Sequence, residues 1–432
     1  MLTYLALGIF ALSFALIIFE LYDKAVVAMS GALLMIVLGI IEPEAAILAI
    51  DFETILLLLA MMLLVNIASK SGIFEWMSVR IAAFTKGNPL AIFLLFSIIT
   101  GVVSSVLDNV TTIILLVPVT IQLVKGMGRD PRPYVLGEVM LSSVGGALTL
   151  IGDPTNIIVG GYAGLNFMDF VKNLWIPVLF CAIFVTSALV FVHREKLKPV
   201  SGNLVELFVA NVIIKKVKNQ FAKKVIHKDF VIATVGVLIL TVLGFMFQRQ
   251  LGLPTHVIAF CGAVLLALLT KKRVEIEEAL HSVEWSTLLF FSGLFIMSAG
   301  VESTGVLTEL SQFIVGATDN LLYLSLLILW TCGLVSMILN NVPFVTVMLP
   351  VIAGIQTQVT TGDASVLWWA LTLGTCLGGN GTLVGASANV VAAGLTKKHG
   401  AEITFLYHLK FALPITIGML MIASTYLFFR IT

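Results

Sequence analysis

Long runs of apolar residues recur from one end of this chain to the other, at 3–19, 25–41, 54–68, 89–107, 174–192, 230–247, 257–270, 287–300, 321–339 and 411–429. Several approach the roughly 20 residues that carry an α-helix across a ~30 Å hydrocarbon layer. In lipid every backbone amide and carbonyl must find its partner inside the protein, which leaves helix bundles and closed barrels. The runs are continuous, unlike the short alternating segments of a barrel, so the sequence predicts an all-α polytopic membrane protein. A chain that is 59% hydrophobic and 11% charged also lies outside the range of soluble domains.

Composition narrows the roles further. A net charge of +1 points to neither nucleic acid nor an acidic partner, and no nucleic-acid partner is expected. The opening segment MLTYLALGIFALSFALIIFEL has no basic n-region and no small-residue cleavage site, so it reads as a retained helix rather than a signal peptide. Cys181, Cys261, Cys332 and Cys376 sit in apolar segments without CxxC spacing, which argues against disulfides and zinc and for small buried hydrophobes. No cofactor is implied.

One long polar, lysine-rich stretch, His193 to Asp229, is too short for a domain and reads as a cytoplasmic loop. It divides the chain into a first membrane repeat (1–193), a basic linker loop (194–229) and a second membrane repeat (230–432). The two membrane parts are related in sequence. Asp108-Asn109-Val110 and Pro118 reappear 232 residues later as Asn340-Asn341-Val342 and Pro350. Gly145-Gly146, Thr149-Leu150, Gly152 and Asn156 reappear 233 residues later as Gly378-Gly379, Thr382-Leu383, Gly385 and Asn389. Thr54 and Gly72 pair with Thr287 and Gly305 at the same shift of 233.

Basic residues give the sense of the repeat. The segment with Lys125, Arg129 and Arg132 corresponds to residues 357–364, which hold no base and one acid, Asp363. The segment with Lys70, Arg80 and Lys86 corresponds to one with Glu302, Glu309 and Asp319. Because bases collect on the cytoplasmic side, equivalent loops are expected on opposite sides, and the repeat is expected to be inverted. Each half then counts five spanning helices, one of them broken, plus a re-entrant hairpin made of a helix and a half-helix, with both termini outside. Inverted halves with broken helices are the build of secondary transporters, whose site lies near the midplane between the repeats.

The polar residues inside apolar segments are the candidate site. Asp108 and Asn109 stand where the returning arm of the first hairpin would start, a position that favours Asp and Asn as helix caps. Ionisable groups at that depth also line ion paths. Asn340 and Asn341 can cap without charge, so capping alone does not require the acid. Asp153-Pro154 likewise suits a helix start, and Gly145, Gly146 and Gly152 allow an unwound stretch before it. Helix amides there would attract an anion, and free carbonyls with Asp153 would attract Na⁺ or H⁺. GDPTN is no phosphate loop, since GxxxxGK[ST] is absent. Glu138 reads either as a further titrating acid or as a partner of Arg132; its second-half equivalent is Leu371.

LDNVTTIILLVPVT, GGALTLIGDPTNIIVGG and LGGNGTLVGASANVVAAGLTKKHG resemble the signature segments of the P-protein branch of the ion-transporter superfamily. That superfamily also holds arsenite permeases, D-type Na⁺/H⁺ antiporters, citrate carriers and divalent-anion/Na⁺ symporters. The resemblance implies two hairpins and two broken helices meeting at a central site, in a homodimer with elevator-like motion. Its hairpin tips map to Asp108, Asn109, Thr111 and Thr112, and to Asn340, Asn341 and Pro343. Its breaks map to Gly152, Asp153, Thr155 and Asn156, and to Gly385, Ala386, Ser387 and Asn389. The symporters carry Ser-Asn-Thr at the tip, and here Asp or Asn replaces the serine.

Two acids, Asp108 and Asp153, thus stand in half one where half two has Asn340 and Ala386. Asp108, Asn109 and Asp153 are the candidate Na⁺ or H⁺ ligands, and half two would supply neutral donors to a second ligand. The expected function is cation-coupled secondary transport of a small inorganic ion, an oxyanion, an arsenite-like solute or chloride, in a prokaryotic plasma membrane. Na⁺/H⁺ antiport is the close rival. Carboxylate symport ranks third, since neither motif contains an arginine. A passive channel fits two broken-helix sites less well. No nucleophile-and-base pair suggests an enzyme.

Overall fold

The computed structural model describes residues 2–18, 22–85, 87–198, 227–318, 320–359 and 362–432. Most of the expected linker loop, 199–226, therefore lies outside the described residues. Those described are helices and short connections, without strands. Seven of the helices are long and apolar enough to cross a membrane: Phe52–Ser69, Asn109–Gly126, Phe167–Val192, Lys228–Met246, Trp285–Glu302, Leu321–Ile338 and Phe405–Ile431.

Local chemistry sets the helix starts. Asp23, Asp51, Asn88, Asp108, Asp153, Asn320 and Asn340 each stand just before a helix and accept a first-turn amide. Pro89 and Pro154 occupy the first turn, where the missing N–H costs nothing.

Two layers result. In the outer one, Lys24–Val37 packs on Trp285–Glu302, and Phe52–Ser69 on Thr255–Thr270. Gly293 lies against the backbone of Ala28, so these outer helices touch without intervening side chains. In the inner layer, the hairpin arm Pro89–Ser104 packs on Arg132–Gly146, and Leu321–Ile338 packs on Val366–Gly378. Gly145 meets the backbone of Gly101, and Gly378 meets that of Gly333, with no room for a Cβ at either place. The halves interlock at the centre: Pro154–Ala163 lies on Asn341–Gln358, and Ser387–Lys398 on Asn109–Gly126.

The returning arms differ from expectation. Asn109–Gly126 and Asn341–Gln358 each run 18 residues rather than half a span, because Pro118 and Pro350 are absorbed inside them.

Equivalent loops lie far apart. Asp130 is 2.9 Å from Lys196, just beyond the end of Phe167–Val192. Its equivalent, Asp363, is 3.6 Å from Arg430, whose guanidinium also meets Asn173 near the start of that helix.

Candidate functional site

The two tips and two breaks form one hydrogen-bonded frame, repeated at the sequence shift. In half one, Ser104 Oγ donates to Asn109 Oδ1 at 2.6 Å. In half two, Ser336 Oγ donates to Asn341 Oδ1 at 2.5 Å. Asn156 Nδ2 donates to the carbonyls of Gly146 (3.1 Å) and Thr149 (2.8 Å). Asn389 Nδ2 donates to those of Gly379 (3.0 Å) and Thr382 (2.8 Å). The hydroxyls of Thr149 and Thr382 bond the carbonyls of Ser105 and Met337, and accept the amides of Gly152 and Gly385 at 3.1 Å. An unwound membrane segment needs substitute partners for its backbone groups, and these side chains supply them.

The acids depart from this symmetry. Asp153, 4% exposed, accepts Asn109 Nδ2 at 2.6 Å, the Thr155 hydroxyl at 2.6 Å and the Thr155 amide at 2.9 Å. Asn109 is thereby clamped between Ser104 and Asp153, tying tip to break. In half two Ala386 stands in that place, and Ser387–Lys398 starts without a side-chain cap. Asn340 Nδ2 reaches Ser387 Oγ at 3.2 Å instead. Asp108 caps the amide of Thr111 at 2.9 Å.

Asp108, Thr111, Pro154, Asn340 and Ser387 line one cavity of about 290 Å³ between the outer and inner layers. Pro343 lies outside it, lining a second cavity of about 320 Å³ that shares Asn340. Asn109, Asn156, Asn341, Asn389, Gly152 and Gly385 build the frame behind the cavity. Thr112 is buried, its hydroxyl without a partner among the described residues. Among those residues no group of three His, Cys, Asp or Glu comes together. As a Na⁺ position, the Asp153–Asn109 pair offers oxygens already engaged with donors.

Several residues outside the expected site also contribute. Lys24, Glu284 and Thr287 of the outer layer line the 290 Å³ cavity. Cys376 lies between the halves, its thiol 3.4 Å from Thr155 Oγ1 and donating to Asn156 Oδ1 at 3.3 Å. Asn380 Nδ2 reaches the Met140 carbonyl at 3.3 Å. Glu138 does not meet Arg132, which pairs with Asp130 at 2.9 Å. It is fully buried, accepts the Thr120 hydroxyl at Oε1, and leaves Oε2 without a partner among the described residues.

The packing of the helices that follow the two breaks is unequal. Gly161, in the helix after the first break, is pressed against the side chains of Asp51 and Thr54. The equivalent Gly394 has open space where a Cβ would go, and the equivalents of Asp51 and Thr54, Glu284 and Thr287, face the cavity.

Paired helix breaks and hairpins facing one cavity, mostly apolar with a few polar and charged side chains, inside a bundle of apolar helices define an integral membrane transporter. The chain belongs to the citrate-transporter family, whose model matches residues 14–374. It is 32% identical over 433 residues to a 46 kDa membrane protein of Mycobacterium leprae, covering 99% of this chain and 98% of that one. An uncharacterized transporter of Mycobacterium tuberculosis is 33% identical over 432 residues, 98% of each chain. The human P protein is 31% identical over 497 residues, 98% of this chain but 59% of its own length, which bears out the P-protein resemblance. The YdaH transporter of Alcanivorax borkumensis superposes with a TM-score of 0.56 at 16% identity, over 86% of this chain and 84% of that one, and so shares the fold.

Proposed function

We propose that the chain is a cation-coupled secondary transporter that carries a small anion, an inorganic oxyanion or a carboxylate, across a prokaryotic plasma membrane. The observation that carries this reading is the 290 Å³ cavity in which Asp108 of half one faces Asn340 and Ser387 of half two. In this reading the half-one acids, Asp108 and Asp153, take the coupling H⁺ or Na⁺, and the neutral donors of half two take the anion. Spending a cation on that side offsets the repulsion that two carboxylates would exert on an anionic cargo.

Alternating access is supported by the unequal packing of Gly161 and Gly394, one closed and one open at equivalent positions. An inverted repeat is supported by Asp130 and Asp363 at opposite ends of Phe167–Val192. The inner layer would then move as an elevator against the outer one, in a homodimer that mass photometry of the purified protein would count.

The test is pH change inside proteoliposomes on addition of Na⁺ or of an anion, for the wild type, Asp108→Asn and Asp153→Asn. An anion-dependent proton or Na⁺ flux that either substitution abolishes is expected. Na⁺/H⁺ antiport is the second reading, favoured by the restriction of both acids to half one. A Na⁺-driven pH signal without any anion, lost in either variant, would establish it and sink the first reading.

A further inference from the structure

We propose that Lys24 is the counter-charge that selects an anionic cargo, holding it where the two cavities meet, against Asn340 and Ser387. This rests on the anion-transport reading and adds to it the residue that recognises charge.

Three observations lead there. Lys24 lines both the 290 Å³ cavity and the neighbouring 320 Å³ one, and among the described residues the two share only Phe290 and Asn340 besides. A solute passing between the cavities therefore passes the ammonium. Lys24 is also the one base among the described residues lining either cavity. Finally, the ammonium is available: it lies 5.4 Å from the centre of the Phe290 ring and makes no ion pair among the described residues. The nearby acids have local donors. Asp23 accepts the amides of Ala25 (2.9 Å) and Val26 (3.2 Å), Glu284 the Thr287 hydroxyl (3.0 Å), and Asp108 the Thr111 amide (2.9 Å).

The fold fixes the backbone of Lys24, whose side chain is exposed. It opens the helix Lys24–Val37, whose Ala28 backbone is in contact with Gly293 and whose Gly31 abuts Met297. That rigid seat belongs to the outer layer, whereas Asn340 and Ser387 belong to the inner one. An anion held between Lys24 and these two donors thus bridges the layers. An ammonium bonded to an anion is worth roughly 1.5–3 kcal/mol, equivalent to about 10- to 100-fold in affinity.

The experiment compares wild type, Lys24→Gln, Lys24→Arg and Lys24→Gln/Glu284→Gln in proteoliposomes. Initial rates are measured for radiolabelled citrate and phosphate and for arsenous acid, which is uncharged at neutral pH. Anion-dependent thermal shifts of the purified proteins give a readout independent of turnover and report folding. The expected result is a KM for whichever anion is carried that rises roughly 10- to 100-fold in Lys24→Gln, with kcat within about twofold, and is largely restored by Arg. The anion-induced thermal shift should be lost in parallel, and any arsenous acid flux should be unchanged. An unaltered anion KM in Lys24→Gln overturns the proposal while leaving anion transport intact. Rescue by the added Glu284→Gln also overturns it, since Lys24 would then serve only to balance Glu284. A wild type that neither moves nor is stabilised by citrate or phosphate overturns this proposal together with the reading beneath it.

Discussion

Half one and half two solve the same structural problem with the same neutral groups and then part company over charge. Both unwind a helix after a glycine pair, and both satisfy the exposed carbonyls with one asparagine, Asn156 or Asn389. Both seat that asparagine's neighbours on a threonine hydroxyl and a Ser–Asn pair. Only half one adds Asp108, Asp153 and Glu138, where half two has Asn340, Ala386 and Leu371. The frame stands without acids in half two, so the frame alone does not account for the acids of half one.

The strongest way to break this comparison is to remove the shared element. Asn156→Ala strands two buried carbonyls and Asn389→Ala one buried and one half-buried, and each should cost about 2–5 kcal/mol. Thermal unfolding in detergent would check it. If one variant fell sharply and the other did not, the two breaks would not share a frame.

Replacing Asp153 by its half-two equivalent is the next largest. Asp153→Ala leaves Asn109 Nδ2 and the Thr155 hydroxyl without their acceptor, a stability loss of about 1–3 kcal/mol. Coupled transport should fall at least about 100-fold, in line with loss of a charged ligand. A variant that still couples would reduce Asp153 to a cap.

A subtler pair concerns Gly161 and Gly394. Gly394 faces open space within a helix, so Gly394→Ala should raise the stability of this conformation by about 0.5–1 kcal/mol. If the other conformation brings Glu284 and Thr287 against Gly394, as Asp51 and Thr54 meet Gly161, transport should slow by roughly tenfold or more through that added Cβ. Gly161→Ala should instead destabilise the present conformation. Thermal unfolding paired with initial transport rates separates these effects. Normal transport by Gly394→Ala would mean that the halves do not exchange roles.

Glu138→Leu gives half one the residue that half two already has. Because Glu138 Oε2 is buried without a partner among the described residues, the exchange should leave stability unchanged or raise it by about 1 kcal/mol. If Glu138 carries a transported proton, the same variant should flatten the pH dependence of transport. Parallel pH–rate profiles would decide that second part.

What could be read from sequence follows the range of the interactions involved. The caps and breaks were legible because Asp108, Asp153 and the glycines act on backbone within a few residues. The repeat was legible because two copies of one pattern reinforce each other. Lys24 and Glu284 were not, since their meeting at one cavity depends on how Lys24–Val37 packs on Trp285–Glu302, which leaves no periodic trace. Cys376 reached the first break for the same reason. Glu138 was legible as a buried acid, but its partner was not: Thr120 lies 18 residues away on another helix, and Arg132 turned to the nearer Asp130.

The smallest expected effect lies at the membrane surface, where Asp130 and Asp363 carry the comparison to opposite ends of one helix. Burial pushes the Asp130 carboxyl up, but hydrogen bonds from Arg132 and Lys196 outweigh it and hold the group at about 2. The Ser365 hydroxyl likewise lowers Asp363, aided by Arg430. Since both groups are held below their unfolded value, each adds stability that is full above about pH 4 and lost as pH falls through the folded value. Solvent screening at these partly exposed sites keeps each contribution near 0.5 kcal/mol or less. Asp130→Asn should therefore leave the melting temperature at pH 7 lower by about a degree or less and bring it level with wild type only below about pH 2. A deficit that persisted below about pH 2 would point to lost packing between residues 129–132 and 196–198 rather than to charge.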